Sequence, residues 1–324
     1  FSGNSNLPPD WLWFKARSGA SNHFLFDKVR GVLKTISSDD ANPEVTSTGS
    51  MTAFGTDGFS LGDGGSDNDI NGVDGTTYVA WGWAAGNSAG SSNSDGSITS
   101  TVTANTTAGF SIVKYTGTKS NATVGHGLGA VPKMIIIKDT SNTESWVVGH
   151  NSIGFTKNLF LNLNNAEATS STLFQDTAPT SSVFTIGTSD GVNKASGVHI
   201  VYCFAEVAGY SQFSSYTGNN NADGPFIYTG FAPAYVLWKN ADTAGNHWVV
   251  ADRARSPGNV SVERLFPDLS NAESTSTAMC DFLSNGFKIR STMGEINTSG
   301  DTIIYMAFAE NPFGGSGAAP ATAR

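Results

Sequence analysis

Pro132-Lys133-Met134-Ile135-Ile136-Ile137-Lys138 and Pro233-Ala234-Tyr235-Val236-Leu237-Trp238-Lys239 are one phrase written 101 residues apart: Pro, a spacer, four apolar residues, Lys. Pro9-Asp10-Trp11-Leu12-Trp13-Phe14-Lys15 is a third copy, and Tyr115-Thr116-Gly117 recurs as Tyr216-Thr217-Gly218 at the same offset. A period near 100 residues is too long for a solenoid and suits a small domain. Tandem domains of one type point to binding or structural work rather than to a single-site enzyme.

The correspondence continues downstream. His23-Phe24-Leu25-Phe26-Asp27, Trp146 to His150 and His247 to Asp252 form a second apolar strand. Leu159 to Glu167 matches Leu265 to Glu273, and the first copy is worn down to Leu33–Ala41. Strands follow at Gly58 to Leu61, Val183 to Ile186 and Gly286 to Ile289, and closing strands at Tyr78 to Trp81, Ile200 to Phe204 and Ile304 to Phe308. The stretches before the closing strands, Ile70 to Gly75, Val192 to Gly197 and Ile296 to Gly300, read as hairpin turns because Asn and Gly tolerate positive φ. Short β-branched and aromatic runs bounded by Gly, Asn, Ser and Asp predict an all-β protein. No stretch holds helical spacing over three turns. Asn164–Ser171 and Ser270–Ser276 are the best short-helix candidates, and each reads equally as a loop. The expected fold is a tandem of small antiparallel β-sandwiches, jelly-roll-like, each closing its own core.

The boundaries that follow are 1–86 for the first repeat, 87–109 for a Ser/Thr/Gly-rich linker, 110–210 and 211–313 for the second and third repeats, and 314–324 for a flexible tail. Ile98 and Val102 give part of the linker the means to pair as an edge strand. The chain begins at Phe1 and its first repeat lacks the leading Tyr-Thr-Gly strand, so a longer or processed parent product is expected.

Charged residues make up only 14% of the 324, against about 25% in ordinary soluble domains, so the polar surface must come from Ser, Thr, Asn and Gly. The net charge of −9 comes without a basic stripe, which argues against nucleic acid as a partner. No apolar run approaches the ~20 residues of a membrane-spanning helix. Cys203 and Cys280 are too few for a disulfide framework and are expected to be unpaired.

The ordered phrases resemble a known family. Pro9 through Gly31, Val124-Gly125-His126-Gly127-Leu128-Gly129 before Pro132, Asp223 to Phe231, and Ala307 to Phe313 are similar to the DUF7483-type repeats of tailed, often marine, bacteriophage virion and tail-fibre-like proteins. The resemblance covers about residues 5–324. It implies a virion location on the particle surface and a structural role, with an attachment module often on the N-terminal side, and it carries over no catalytic residues.

The sharpest local motif is Asp67-Asn68-Asp69-Ile70-Asn71-Gly72-Val73-Asp74, the first half of a calcium loop, in which Asp67, Asp69, Asn71 and Asp74 would offer oxygens to one Ca2+. Tyr78 stands where such a loop places its bidentate Glu, and a solvated turn is the competing reading. Asp27-x-x-Arg30 and Asp252-x-x-Arg255 read as loop-organising ion pairs. Lys15, Lys138 and Lys239 end strands and are expected to reach solvent. The five histidines show no metal spacing, and neither a nucleophile elbow nor a phosphate loop is present. Aromatics in loop-like settings are the ligand candidates: Tyr216, Phe226, Tyr228, Phe231, Tyr115 and His126, whose rings can stack on sugars beside hydrogen-bonding Asn and Asp. The expectation is a non-enzymatic phage fibre, spike or other appendage protein that binds a host-surface glycan and assembles as a homotrimer with other virion proteins. A capsid decoration or tail-shell protein without ligand, and a polysaccharide depolymerase, stay open as alternatives.

Overall fold

The structure, a computed structural model, describes residues 7–64, 70–72 and 74–310. It is almost entirely β. The first segment carries β1 (Trp11–Ala16), β2 (Phe24–Asp27), β3 (Lys34–Ser37), β4 (Val45–Thr46), β5 (Met51–Phe54), β6 (Phe59–Leu61) and β7 (Tyr78–Trp83). The second carries β8 (Ser91–Asn93), β9 (Ser100–Asn105), β10 (Phe110–Thr116), β11 (Ala122–Gly125), β12 (Pro132–Asp139), β13 (Val147–His150), β14 (Lys157–Phe160), β15 (Ala168–Thr169), α1 (Ser171–Phe174), β16 (Val183–Ile186), α2 (Asp190–Asn193) and β17 (Val198–Ala205). The third carries β18 (Ser211–Thr217), β19 (Phe226–Tyr228), β20 (Pro233–Asn240), β21 (Val249–Asp252), β22 (Cys280–Leu283), β23 (Gly286–Ile289), α3 (Gly294–Asn297) and β24 (Thr302–Ala309).

Each segment builds its main sheet around the same antiparallel trio. The strand that opens with the Pro phrase lies between the closing strand and the second apolar strand: β7-β1-β2, β17-β12-β13 and β24-β20-β21. The register agrees in detail, with Met134 opposite Phe204 and Tyr235 opposite Phe308, each after an irregularity that starts at the Pro. The leading strands β10 and β18 flank the closing strands β17 and β24. The Tyr-Thr-Gly phrase ends them for a steric reason. A Cβ on Gly117 would stand 2.2 Å from the Lys194 carbonyl oxygen, and one on Gly218 would stand 2.1 Å from that of Thr298, so only glycine fits.

Strand alternation sends side chains to two different cores. Trp11 and Trp13, Met134 and Ile136, and Tyr235 and Leu237 enter one common cluster drawn from all three segments. The alternate residues, Leu12 and Phe14, Ile135 and Ile137, and Val236 and Trp238, pack outward against smaller sheets of their own segments: β5-β6, β11-β16 and β19-β23-β22. Each segment does close a core of its own, and what the expectation missed is the common cluster on the other face of every main sheet. Each main sheet is buried on both faces, and its inner face is completed by the other two segments. Aromatic rings meet across every seam: Trp11 stacks on Tyr202 at 4.4 Å, Trp83 meets Phe308 at 5.7 Å, and Phe204 meets Phe308 at 6.1 Å.

The seams close in a ring. The Glu44 amide donates to the Thr140 carbonyl at 2.9 Å, Glu167 to Ala241 at 2.7 Å, and Glu273 back to Arg17 at 2.8 Å. Reciprocal bonds run from Glu144 to Ala41, Gly245 to Asn164 and Ser21 to Ser270. The indole of Trp146 donates to the Ser37 carbonyl at 2.8 Å and that of Trp248 to the Phe160 carbonyl at 2.9 Å, while the His23 ring faces the Phe266 carbonyl. The last segment thus binds the first as the first binds the second.

Three local expectations are revised. Residues 87–109 are no free linker: β8 and β9 extend the second main sheet by pairing onto β10, and Ile98 bridges to Val124. The stretches before the closing strands in the second and third segments are single helical turns, α2 and α3, rather than hairpin turns. They lead from the small sheet to the main one, so the strands they join are not paired with each other. The candidate helices at 164–171 and 270–276 are mostly irregular, with β15 inside the first and α1 beginning only at Ser171. Cys203 and Cys280 are buried free thiols, and burial pushes both pKa values far up, which makes them inert core residues.

Candidate functional site

The repeated charged residues lie inside the molecule. Lys15, Lys138 and Lys239 are fully buried at the seam ends of β1, β12 and β20, not solvent-reaching. Each ammonium is held by main-chain carbonyls. All three donate to the next residue's oxygen, on Ala16, Asp139 and Asn240 at 2.7–2.9 Å. Lys15 and Lys138 also cross a seam, to Ser270 and Ala41 at 3.3 and 3.1 Å. Burial lowers all three pKa values to about 8. Between pH 8 and about 10.4 the lysines alone bind more protons in the unfolded chain than in the folded one, which makes stability rise with pH. The buried Cys203 and Cys280 thiols and the Tyr115, Tyr202 and Tyr216 hydroxyls, all raised by burial, bind more protons in the folded chain and oppose that rise from about pH 8.5 upward. Urea midpoints should accordingly rise from pH 8 to about 9 and then fall. A midpoint that falls from pH 8 onward would mean that the lysines titrate normally.

Asp27–Arg30 and Asp252–Arg255 are buried ion pairs, as the loop-organising reading expects. Each arginine also caps a strand carbonyl, Leu25 or Val250, and reaches a second carboxylate, Glu44 or Glu273. Both aspartates also bind across a seam. Asp27 accepts the Tyr202 hydroxyl at 2.9 Å, and Asp252 accepts the Trp81 indole at 3.0 Å. Arg17 adds a further link between first and third segments through Glu273 at 2.7 Å. These groups serve the ring.

Four of the aromatic ligand candidates are structural. The Tyr115 hydroxyl donates to the Val192 carbonyl, and Tyr216 donates to that of Ile296 at 2.7 Å. Phe231 and His126 are fully buried, and the His126 ring contacts the Thr180 carbonyl. Tyr115, Phe231 and His126 are buried, and Tyr216 is half-buried against the third segment's outer core. Asn71, from the calcium motif, donates its amide to the Gly62 carbonyl. Asn193 and Asn297 likewise bond to Gly187 and Ser291. Asp67 and Asp69 lie outside the described residues. Among the described residues no group of three His, Cys, Asp or Glu converges as a metal site.

Phe226 and Tyr228 differ from the other candidates. They are 47% and 59% exposed on one face of β19, while Ile227 between them points into the third segment's outer core. β19 pairs only with β23 and is an open edge among the described residues. Its counterpart β11 has Thr123 and Gly125 at the same places, and Ile98, Ser97 and Ser100 bond over its edge. The aromatics therefore appear where that covering is missing. Beside them Asp223 bridges Lys288 at 3.0 Å and Arg290 at 3.2 Å, which frames two apolar ring faces with polar groups. The sequence names both residues but does not separate them from the other four, because all six occur among Gly, Asn and Ser.

A family model described as a domain of unknown function (DUF7483) matches residues 3–312. The chain belongs to that family. No curated protein and no solved structure matches it.

Proposed function

We propose that this chain is a non-enzymatic structural protein of a tailed-bacteriophage virion, part of a fibre, spike or other surface appendage, and that the β19 face contacts host-surface glycan. The observation that carries the architectural part is the use of the repeated Lys, Asp and Arg side chains: they are buried and engaged in holding the ring closed. The adhesion part rests on Phe226 and Tyr228, whose exposed faces offer C–H stacking to sugar rings beside a charged rim. In the appendage, copies of the chain assemble as trimers with other virion proteins, which multiplies weak single-face contacts into avidity.

Cryo-electron microscopy of the particle tests location, and density for this fold inside the capsid shell would overturn the appendage reading. A bacterial glycan array tests adhesion. At least one polysaccharide should retain the wild-type chain, and Phe226→Ser with Tyr228→Ser should lower that signal by roughly tenfold, the loss of about 1.4 kcal/mol. Equal retention of both proteins would remove β19 from the contact.

A further inference from the structure

The second segment holds a cleft lined by a buried side chain with both polar ends unmet, where the corresponding Thr35 and Arg264 each leave one atom unmet. Position 158 on β14 corresponds by register to Thr35 on β3 and to Arg264 beside the Val250–Leu265 bridge. In the third segment Arg264 fills the place. Its guanidinium lies over the Phe266 ring at 5.7 Å and donates to the Thr277 carbonyl and the Ser276 hydroxyl at 3.2 and 3.3 Å. In the second segment Asn158 lines a cleft of about 330 Å³ together with Glu144, Ser145, Phe160, Ser170 and Ser189 among others. Gly191 at its wall stands where the third segment has Glu295.

Asn158 is 1% exposed, yet neither its amide nitrogen nor its oxygen has a hydrogen-bond partner among the described residues. A buried polar group left unpaired costs about 1–3 kcal/mol, so one side chain with both ends unpaired calls for a partner, an ordered water or a ligand. The two ends together, a donor beside an acceptor, match adjacent hydroxyls, each of which can both give and take a hydrogen bond. Phe160, half-buried at the rim, offers an apolar surface for a ring, and Glu144 offers acceptor oxygens. No Lys or Arg is among the named lining residues, and Glu144 is offset by Lys194 at 3.9 Å, so the lining carries little net charge to hold an ionic ligand. The volume sits at the lower end of small-ligand pockets, roughly 300–1,000 Å³. We infer that this cleft is a binding site for an uncharged polyol of monosaccharide size, with Asn158 bonding two neighbouring hydroxyls and Phe160 against the ring. The inference goes beyond the β19 surface and does not rest on it, because cleft and strand lie in different segments.

The test is heteronuclear NMR of the nitrogen-15-labelled chain, titrated separately with D-glucose, D-mannose, D-galactose and N-acetyl-D-glucosamine, with glycerol as the control polyol. At least one sugar should give saturable shifts of the Asn158 side-chain amide and the Gly191 backbone amide, and glycerol should not. Asn158→Arg, which installs the third segment's own filling, should weaken binding at least about tenfold, and Phe160→Leu should weaken it about fivefold while the rest of the spectrum stays unchanged. The leucine variant carries the test if the arginine variant does not fold. Absence of saturation with all four sugars, equal shifts with glycerol, or binding that survives both substitutions would overturn the site. None of these outcomes bears on where the protein sits in a particle.

Discussion

Trp11→Ala should lower the stability of all three segments together, by about 3–5 kcal/mol, with a single unfolding transition retained. Trp11 is fully buried on the inner face of β1. Its ring lies 4.5 Å from Trp83, 4.4 Å from Tyr202 and 5.7 Å from Phe110, so it fills the seam between first and second segments. Truncation leaves a cavity among sheets that are pinned by the seam bonds and cannot collapse inward, which places the cost high in the usual range. The indole nitrogen has no partner among the described residues, so Trp11→Phe loses packing volume without stranding a bond and should cost far less. Urea denaturation followed by far-ultraviolet circular dichroism and by tryptophan fluorescence gives both values. A transition confined to the first segment would show that the inner faces do not share a core.

The second large effect belongs to Asp252→Ala. The carboxylate accepts the Arg255 Nε–H at 2.6 Å, the Arg255 backbone amide at 2.9 Å and the Trp81 indole at 3.0 Å. Removing it leaves a guanidinium that is 2% exposed with Glu273, 2.7 Å away and shared with Arg17, as its remaining carboxylate partner, and strands a buried indole from the first segment. Breaking a buried pair on one side costs about 3–5 kcal/mol, more than the net worth of the pair. Asp252→Asn keeps an acceptor for the indole and should fall between the two. Thermal melts of the three proteins at one pH decide it. A loss below 1 kcal/mol would mean that the pair adds nothing to closure between first and third segments.

Much of this fold is legible in the sequence. The strands that open with Pro, the second strands and the closing strands lie where the apolar runs place them, and all pair antiparallel. The shared core was also written there. Trp11–Phe14, Met134–Ile137 and Tyr235–Trp238 are unbroken apolar runs, and a strand with one face to water would alternate. Four apolar residues in a row require cover on both faces, more than a lone two-layer sandwich supplies. The lysines were not legible. A Lys after an apolar strand reads as a solvent marker, and only the main-chain carbonyls gathered around it, such as those of Asp139 and Glu144 or of Asn240 and Asn246, turn the position inward. Residues 87–109 misled by composition, since Ser and Thr line the exposed side of β8 and β9 as readily as they fill a linker. Of the aromatic candidates, burial separates Phe226 and Tyr228 from the rest, and burial depends on which edge is covered. The cleft at Asn158 has no sequence signal except through its counterpart Arg264, once strand register shows that the two positions correspond.

Amide hydrogen exchange read by mass spectrometry across a urea series addresses the ring most directly, because peptides report on each segment separately. If three inner faces complete one another, then β1, β12 and β20 lose protection at one urea concentration and with one free energy. Three separate midpoints, or a third segment that stays protected after the first has opened, would contradict it.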